Sequence, residues 1–246
     1  MGYGTEMKIA VVAVALNEER FIKPWLQHIP DWVDTKCVLV TEKPWFGDQN
    51  IFRDKTYEVA EEAGAMVVKR DWASEHEQRN FGQDLFGDYD WIIILDPDEF
   101  LDNNNWYQLR KFIESEPQND AFVVDHQLTY WKDGYVADPP RDYQQLILVR
   151  PGIRFVDKRV VNSSYGIAPV FIHHFSWART DIEVWEKISH YAHANDFDTD
   201  KWYTEVWKKW EPGMKDVHPT SPDTLHNLIP AKLPPELESL NLWPTT

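Results

Sequence analysis

Apolar residues in this chain fall into short runs that end on polar or charged residues. Residues 8–16 (Lys-Ile-Ala-Val-Val-Ala-Val-Ala-Leu), 36–41, 65–69 and 91–95 are rich in Val, Ile and Leu. Runs of that length with polar boundaries predict buried strands. Between them the period changes. Residues 17–29 place Phe21, Trp25 and Leu26 on one side of a helix, and residues 50–63 form a second helix that closes at Gly64. Residues 74–86 form a third, opened by Ser74 and Glu77 at capping-box spacing. Strand and helix thus alternate three times before the fourth strand. Right-handed crossovers then build a parallel sheet with all four carboxyl ends along one edge, the edge where such sheets bind ligands. Asn17, Glu42, the stretch after Lys69, and Asp96 with Asp98 are expected to meet there.

Beyond Asp98 the rhythm differs. Residues 105–115 read as a helix, 120–130 and 143–149 as strands, and 153–162 and 169–175 as shorter strands. Strands without intervening helices predict antiparallel additions to the sheet. Residues 181–195 and 199–210 read as helices, closed by Pro212-Gly213. The expected class is α/β, a mostly parallel central sheet with helices on both faces and antiparallel additions in the second half. Residues 7–212 are expected to form a single domain and 213–246 a wrapping tail. Residues 1–6 read as an added leader or a frayed terminus and are set aside.

Composition narrows the partners. Of 246 residues, 41 are acidic and 25 basic, a net charge of −16, which argues against a nucleic-acid-binding surface and against attachment to anionic lipid. An anionic small substrate stays compatible if a metal supplies local positive charge. Cys37 is the single cysteine, so an intramolecular disulfide and thiolate metal sites are excluded; a reducing, cytoplasmic setting is expected. No apolar run approaches the roughly 18–20 residues of a spanning helix.

The run at 91–95 ends in Asp96-Pro97-Asp98-Glu99. Two aspartates two apart share a face in extended chain, about 6–7 Å between Cα atoms. They repel unless a cation or proton intervenes, and Mg²⁺ or Mn²⁺ shared with substrate phosphates suits them. The plainer alternative is a solvated acidic turn. Asn17 and Glu19 follow the first strand, where Asn17 also fits a helix N-cap. Arg79 and Asn80 lie on a helix that buries Phe81 and Leu85, and Arg79 suits either a diphosphate or base contact, or a surface ion pair.

Several of these residues carry a family resemblance. Leu16-Asn17-Glu18-Glu19 after the first strand, Arg79-Asn80 before the fourth, Asp96-Pro97-Asp98-Glu99, and Ile172-His173-His174-Phe175-Ser176-Trp177-Ala178-Arg179 followed by Glu186-Lys187 resemble the family 2 glycosyltransferases. The second half is similar to bacterial and viral members with a His-aromatic-Gly/Ser-Trp stretch. The resemblance implies a GT-A fold and metal-dependent, inverting transfer of a sugar from a nucleotide-diphosphate sugar to an acceptor hydroxyl. It implies Mn²⁺ or Mg²⁺ on Asp96, Asp98 and His174, with His173 as competitor for the last place. It implies a donor site drawing on Asn17, Glu19, Glu42, Arg79, Asn80, Asp96, Arg179 and Lys187, with UDP-sugar as the first expectation and GDP-sugar the second. The acceptor would be a glycan, a lipid-linked sugar or a small molecule. Glu42 stands where many members carry a base-reading Asp, which leaves the nucleotide open. Inversion needs a base for the acceptor proton; the candidates are Asp125, Asp133, Asp138, Asp142 and Asp157, with Asp125 first because it ends an apolar strand. A nucleotidyltransferase, an aspartyl phosphatase of the haloacid-dehalogenase type and a non-catalytic carbohydrate-binding module are the alternatives. The first lacks a Gly-rich loop after the first strand, the second has its acids on the wrong strand, and the third leaves the acids unexplained.

Overall fold

The structure, a computed structural model, describes residues 7–47, 53–140, 145–190 and 193–244. In chain order the main elements are β1 (Ile9–Ala15), α1 (Glu19–His28), β2 (Thr35–Thr41), α2 (Thr56–Glu62), β3 (Met66–Arg70), α3 (Glu75–Leu85), β4 (Trp91–Ile94), β5 (Glu99–Phe100) and α4 (Asn103–Glu114). Then follow β6 (Ala121–Trp131), β7 (Tyr135–Ala137), β8 (Leu146–Val149), β9 (Phe155–Asp157), β10 (Val160–Val161), β11 (Gly166–Trp177), α5 (Asp181–His190), α6 (Thr199–Trp202) running into a π turn, β12 (Leu228–Pro230) and α7 (Pro235–Glu238). The expected α/β class is observed. Strands β3, β2, β1 and β4 are parallel neighbours in that order. Strands β8, β6, β7 and β12 extend the sheet in antiparallel steps.

Every residue of β1 is buried, so its two faces serve two cores, as a central strand covered on both sides requires. Ile9, Val11 and Ala13 join Phe21, Ile22, Trp25 and Leu26 of α1 and Leu109 of α4. Ala10, Val12 and Val14 join Leu39, Ile92 and Ile94 on the α3 side. Helix α3 lies so close that a Cβ at Gly82 would stand 2.9 Å from Val12 Cγ1; that contact, not a turn, requires the glycine. A third core gathers Trp131, Trp177, Trp202 and Trp207 under α5 and the tail. The tail is tied in by Arg20, which donates to Leu242 O, Ala178 O and Glu183.

Several expectations change. Asn17 is not the cap of α1: the N-cap is Glu18, without a side-chain cap bond, and Asn17 has φ 54°. The Ser74 cap is present, its Oγ accepting from Glu77 N at 3.3 Å. The second helix begins at Thr56 rather than residue 50; residues 48–52 lie outside the described residues, as do 143–144 and 191–192. The largest correction is β11, twelve residues long and parallel to β6. Four strands separate the two in sequence, so the chain has room to return and re-enter in the same direction.

Candidate active site

A cleft of about 870 Å³ opens at the carboxyl edge of β1, β2 and β4. Its floor is set by β5, a two-residue strand that pairs antiparallel with β11 so that Glu99 faces His174. Phe175 N donates to Asp98 O at 2.7 Å. That pairing carries His174 from far along the chain to Asp98, with Nε2 to Oδ1 at 3.4 Å.

Asp98 is 5% exposed. Its Oδ2 accepts from Arg179 Nη2 at 2.8 Å and from Lys187 Nζ at 3.0 Å. Burial alone would raise its pKa; Lys187, His174 and Arg179 outweigh burial and hold it well below the usual carboxylate range. Arg179 also donates to both carboxylate oxygens of Glu18 at 2.9 Å. Burial pushes Glu18 up to about 7 although Arg179 pulls the other way. Lys187 donates to Ser176 Oγ at 2.8 Å, and burial lowers its pKa despite Asp98.

Asp96 belongs to a second set. Arg79 grips it with two nitrogens at 3.1 and 2.7 Å, and Arg159 reaches it at 3.3 Å while bonding Glu99 at 2.6 Å. Its Nη2 donates to Ile94 O and Leu146 O, both at 2.9 Å. Burial raises the Asp96 pKa and the two arginines lower it by more. Arg79 is therefore a buried ion-pair residue, not a surface one.

Placement divides the expected residues. Asn17, Arg79, Asp96, Asp98, His174, Arg179 and Lys187 line the cleft. His173 points away, bonded to Tyr130 at 2.7 Å and facing Asp102. Glu19 turns outward and accepts from Lys55 N; its neighbour Glu18 holds the inner place. Asn80 clamps Phe155 through both backbone groups and lies outside the cleft lining. Glu42 is half-exposed, 3.9 Å from Lys69, and Thr41 and Trp45 occupy the cleft instead. Of the proposed bases, Asp125 is exposed and paired with His126, and Asp133 and Asp138 are exposed; none of the three lines the cleft, whereas Asp157 does. Asp125 is exposed at the point where β6 shifts register against β11, between Val124 and His126. Asp142 lies outside the described residues.

Sequence reasoning missed Glu18 and Arg159 among the cleft residues. Glu18 is one step from Glu19, and only the helix start separates the two. Arg159 sits in a hairpin tip with no local signal; its partners are about sixty positions earlier.

Among the described residues no three His, Cys, Asp or Glu side chains converge on one point. Asp98 and His174 nevertheless suit a divalent cation. A separation of 3.4 Å equals that of two ligands each about 2.1–2.2 Å from an ion, at an angle of about 100–110°. Mg²⁺-type ions take one or two protein ligands and complete their shell with phosphate and water. Asp96 is committed to two arginines and does not complete the set. Among the described residues no helix is long and apolar enough to cross a membrane. Burial pushes the Cys37 thiol up to about 12, so it carries no chemistry here.

No family model matches the chain. A TPR repeat-containing protein of Synechococcus elongatus is 30% identical over 148 residues, covering 60% of this chain and 33% of that protein. The chain thus spans about a third of that relative's length. Among solved structures, a mycobacterial protein is similar with a TM-score of 0.49 and 15% identity, over 69% of this chain and 68% of that one. Glucosyl-3-phosphoglycerate synthase from Mycobacterium tuberculosis, solved with Mn²⁺, UDP-glucose and phosphoglyceric acid, has a TM-score of 0.39 and 21% identity, over 48% of this chain and 43% of that one.

Proposed function

We propose that this protein transfers a sugar from a nucleotide-diphosphate sugar to an acceptor hydroxyl, in a GT-A-type site. The observation that carries this reading is the set of cations gathered on Asp96 and Asp98 at the carboxyl edge of a parallel sheet. In a chain of net charge −16, a local cationic cluster is what a departing diphosphate needs. Arg179 and Lys187 already aim their charge at one point and need no reorganisation when the leaving group becomes more negative. Asp98 keeps both in place, and its Oδ1 with His174 would hold Mn²⁺ or Mg²⁺. Such an ion supplies Lewis-acid neutralisation of the diphosphate. Asn17 and Thr41 lie at the ends of β1 and β2, suited to the nucleoside, and Trp45 offers a ring for the base. A UDP-sugar is the first donor to try. Of the acids considered as bases, Asp157 lines the cleft and is assigned the acceptor proton. The acceptor is a glycan, a lipid-linked sugar or a small molecule.

With Mn²⁺ and a panel of UDP- and GDP-sugars, the protein is expected to release nucleoside diphosphate from at least one donor. EDTA should slow that release about 10-fold or more, and added Mn²⁺ should restore it. Release that ignores chelation contradicts the metal; no release from any donor contradicts the transferase reading.

A further inference from the structure

His174 has a different neighbour on each ring nitrogen. Nε2 faces Asp98 Oδ1 at 3.4 Å, and Nδ1 lies 2.7 Å from Gln127 Nε2. The same amide nitrogen donates to Thr129 Oγ1 at 2.9 Å. Gln127 is 3% exposed, and its Oε1 is buried with no hydrogen-bond partner among the described residues. Register explains the meeting. Gln127 and Thr129 are two apart on β6 and share a face, and β11 runs beside them with His174 opposite Thr129.

In this arrangement an amide N–H points at Nδ1. Nδ1 must accept, so the ring proton is on Nε2, directed at Asp98. That tautomer offers no lone pair to a cation between His174 and Asp98. A half-turn of the amide reverses the logic. Oε1 then accepts from Nδ1–H, and it also accepts from the Thr129 hydroxyl, which donates as readily as it accepts. The Nε2 lone pair then faces Asp98. Both orientations make two hydrogen bonds and leave one end of the amide unpartnered, so neither has an advantage in bond count. The exchange takes one proton from Nε2 to solvent and one from solvent to Nδ1, with no change of net charge.

We propose that Gln127 is a positioning residue whose amide orientation selects the tautomer of His174, and thereby opens or closes the Asp98–His174 pair to a divalent cation. The inference rests on the metal reading above. It places a switch one shell behind the ligand, where a partner on the second imidazole nitrogen commonly sets metal affinity. With the Nε2–H state held by the amide in the absence of metal and the other state equal to it in bond count, the cation's preference for the second state shifts the population.

The test uses the full chain labelled with ¹⁵N-histidine, and Mn²⁺ binding followed by the electron paramagnetic resonance signal of the free ion, with UDP present. Without metal, the His174 imidazole should show the Nε2–H tautomer by its ¹⁵N shifts. With saturating Mg²⁺ it should show Nδ1–H. Gln127→Leu offers no acceptor and should weaken Mn²⁺ binding about 10- to 100-fold. Gln127→Glu offers only acceptors; it should hold Nδ1–H even without metal and bind Mn²⁺ at least as tightly as the unaltered protein. The Glu variant guards against a Leu variant that merely folds poorly. An Nδ1–H tautomer in the metal-free protein, or equal Mn²⁺ affinity in the Leu and unaltered proteins, overturns the role of Gln127 while leaving the metal site standing. No Mn²⁺ binding by the unaltered protein overturns both.

Discussion

Asp98→Asn is expected to lower kcat/KM for sugar transfer by about 10³-fold or more, which corresponds to about 4 kcal/mol of transition-state stabilisation. The size follows from how much converges on one carboxylate. Arg179, Lys187 and His174 all address Asp98, so removing its charge releases the groups that would meet the diphosphate. Asparagine keeps the shape and one acceptor oxygen, so most of the fold should survive, at a stability loss of about 1–3 kcal/mol for imperfectly paired buried groups. Lys187, already lowered by burial, should lower further. Asp125→Asn is the comparison. Its side chain is 64% exposed and outside the cleft, so its rate should stay within about twofold, as for surface changes generally. Steady-state rates of the two variants decide between the cleft and the β6 strand as the seat of chemistry. Equal losses, or an active Asp98→Asn, contradict the assignment.

Arg179→Met should be the most destabilising single change in the cleft, and its effect should depend on pH. One guanidinium nitrogen serves both Glu18 and Asp98. Without it, Glu18, once ionised, and the buried Asp98 face each other as like charges, and breaking a buried pair costs about 3–5 kcal/mol. That is a large part of the roughly 5–15 kcal/mol that holds a domain together. Glu18 sets the pH dependence. Its folded pKa of about 7 lies above the ordinary 4.5, so the stability it contributes is complete below about 4.5 and is lost as pH rises through about 7. In the variant the pull of Arg179 is gone, the folded pKa rises further, and the loss deepens on the alkaline side. Asp98 stays ionised across this window in the unaltered protein because its pKa is held well below 3.8. Urea unfolding at pH 5 and pH 8 should therefore give a gap between variant and unaltered protein that widens with pH. A gap that narrows toward pH 8 contradicts the pairing of Glu18 with Arg179.

The two halves of the chain differ in how far sequence alone describes them. Runs such as Ile9–Ala15 and Trp91–Ile94 announce parallel strands because both faces must be apolar, and turn chemistry at Ser74 marks the next helix. Strand order then brings Asp96 and Asp98 to the carboxyl edge without further information. The second half obeys long-range pairing instead. The antiparallel additions β8, β6, β7 and β12 follow from strands without intervening helices, whereas the parallel match of β11 to β6 leaves no mark on local periodicity. The same holds within the site. Asp98, His174, Arg179 and Lys187 carry motif signals, whereas Arg159 is recruited from a hairpin by acids that are neighbours only in space. Side-chain direction is the other loss. Glu18 rather than Glu19, and Thr41 rather than Glu42, face the cleft because of a one-residue difference in where an element starts or ends. The acids expected as bases on β6 and its loop lie outside the cleft lining for a related reason: being charged and near a strand end says nothing about which face they occupy.

The proposed site binds a diphosphate at Asp98 and is completed by a divalent ion. Calorimetric titration of UDP into the unaltered protein, once with Mn²⁺ and once with EDTA, tests it most directly. UDP should bind about 10-fold or more tightly with Mn²⁺, since the ion and the diphosphate complete each other's coordination. Equal UDP affinity with and without Mn²⁺, or no binding of UDP or GDP under either condition, would contradict it.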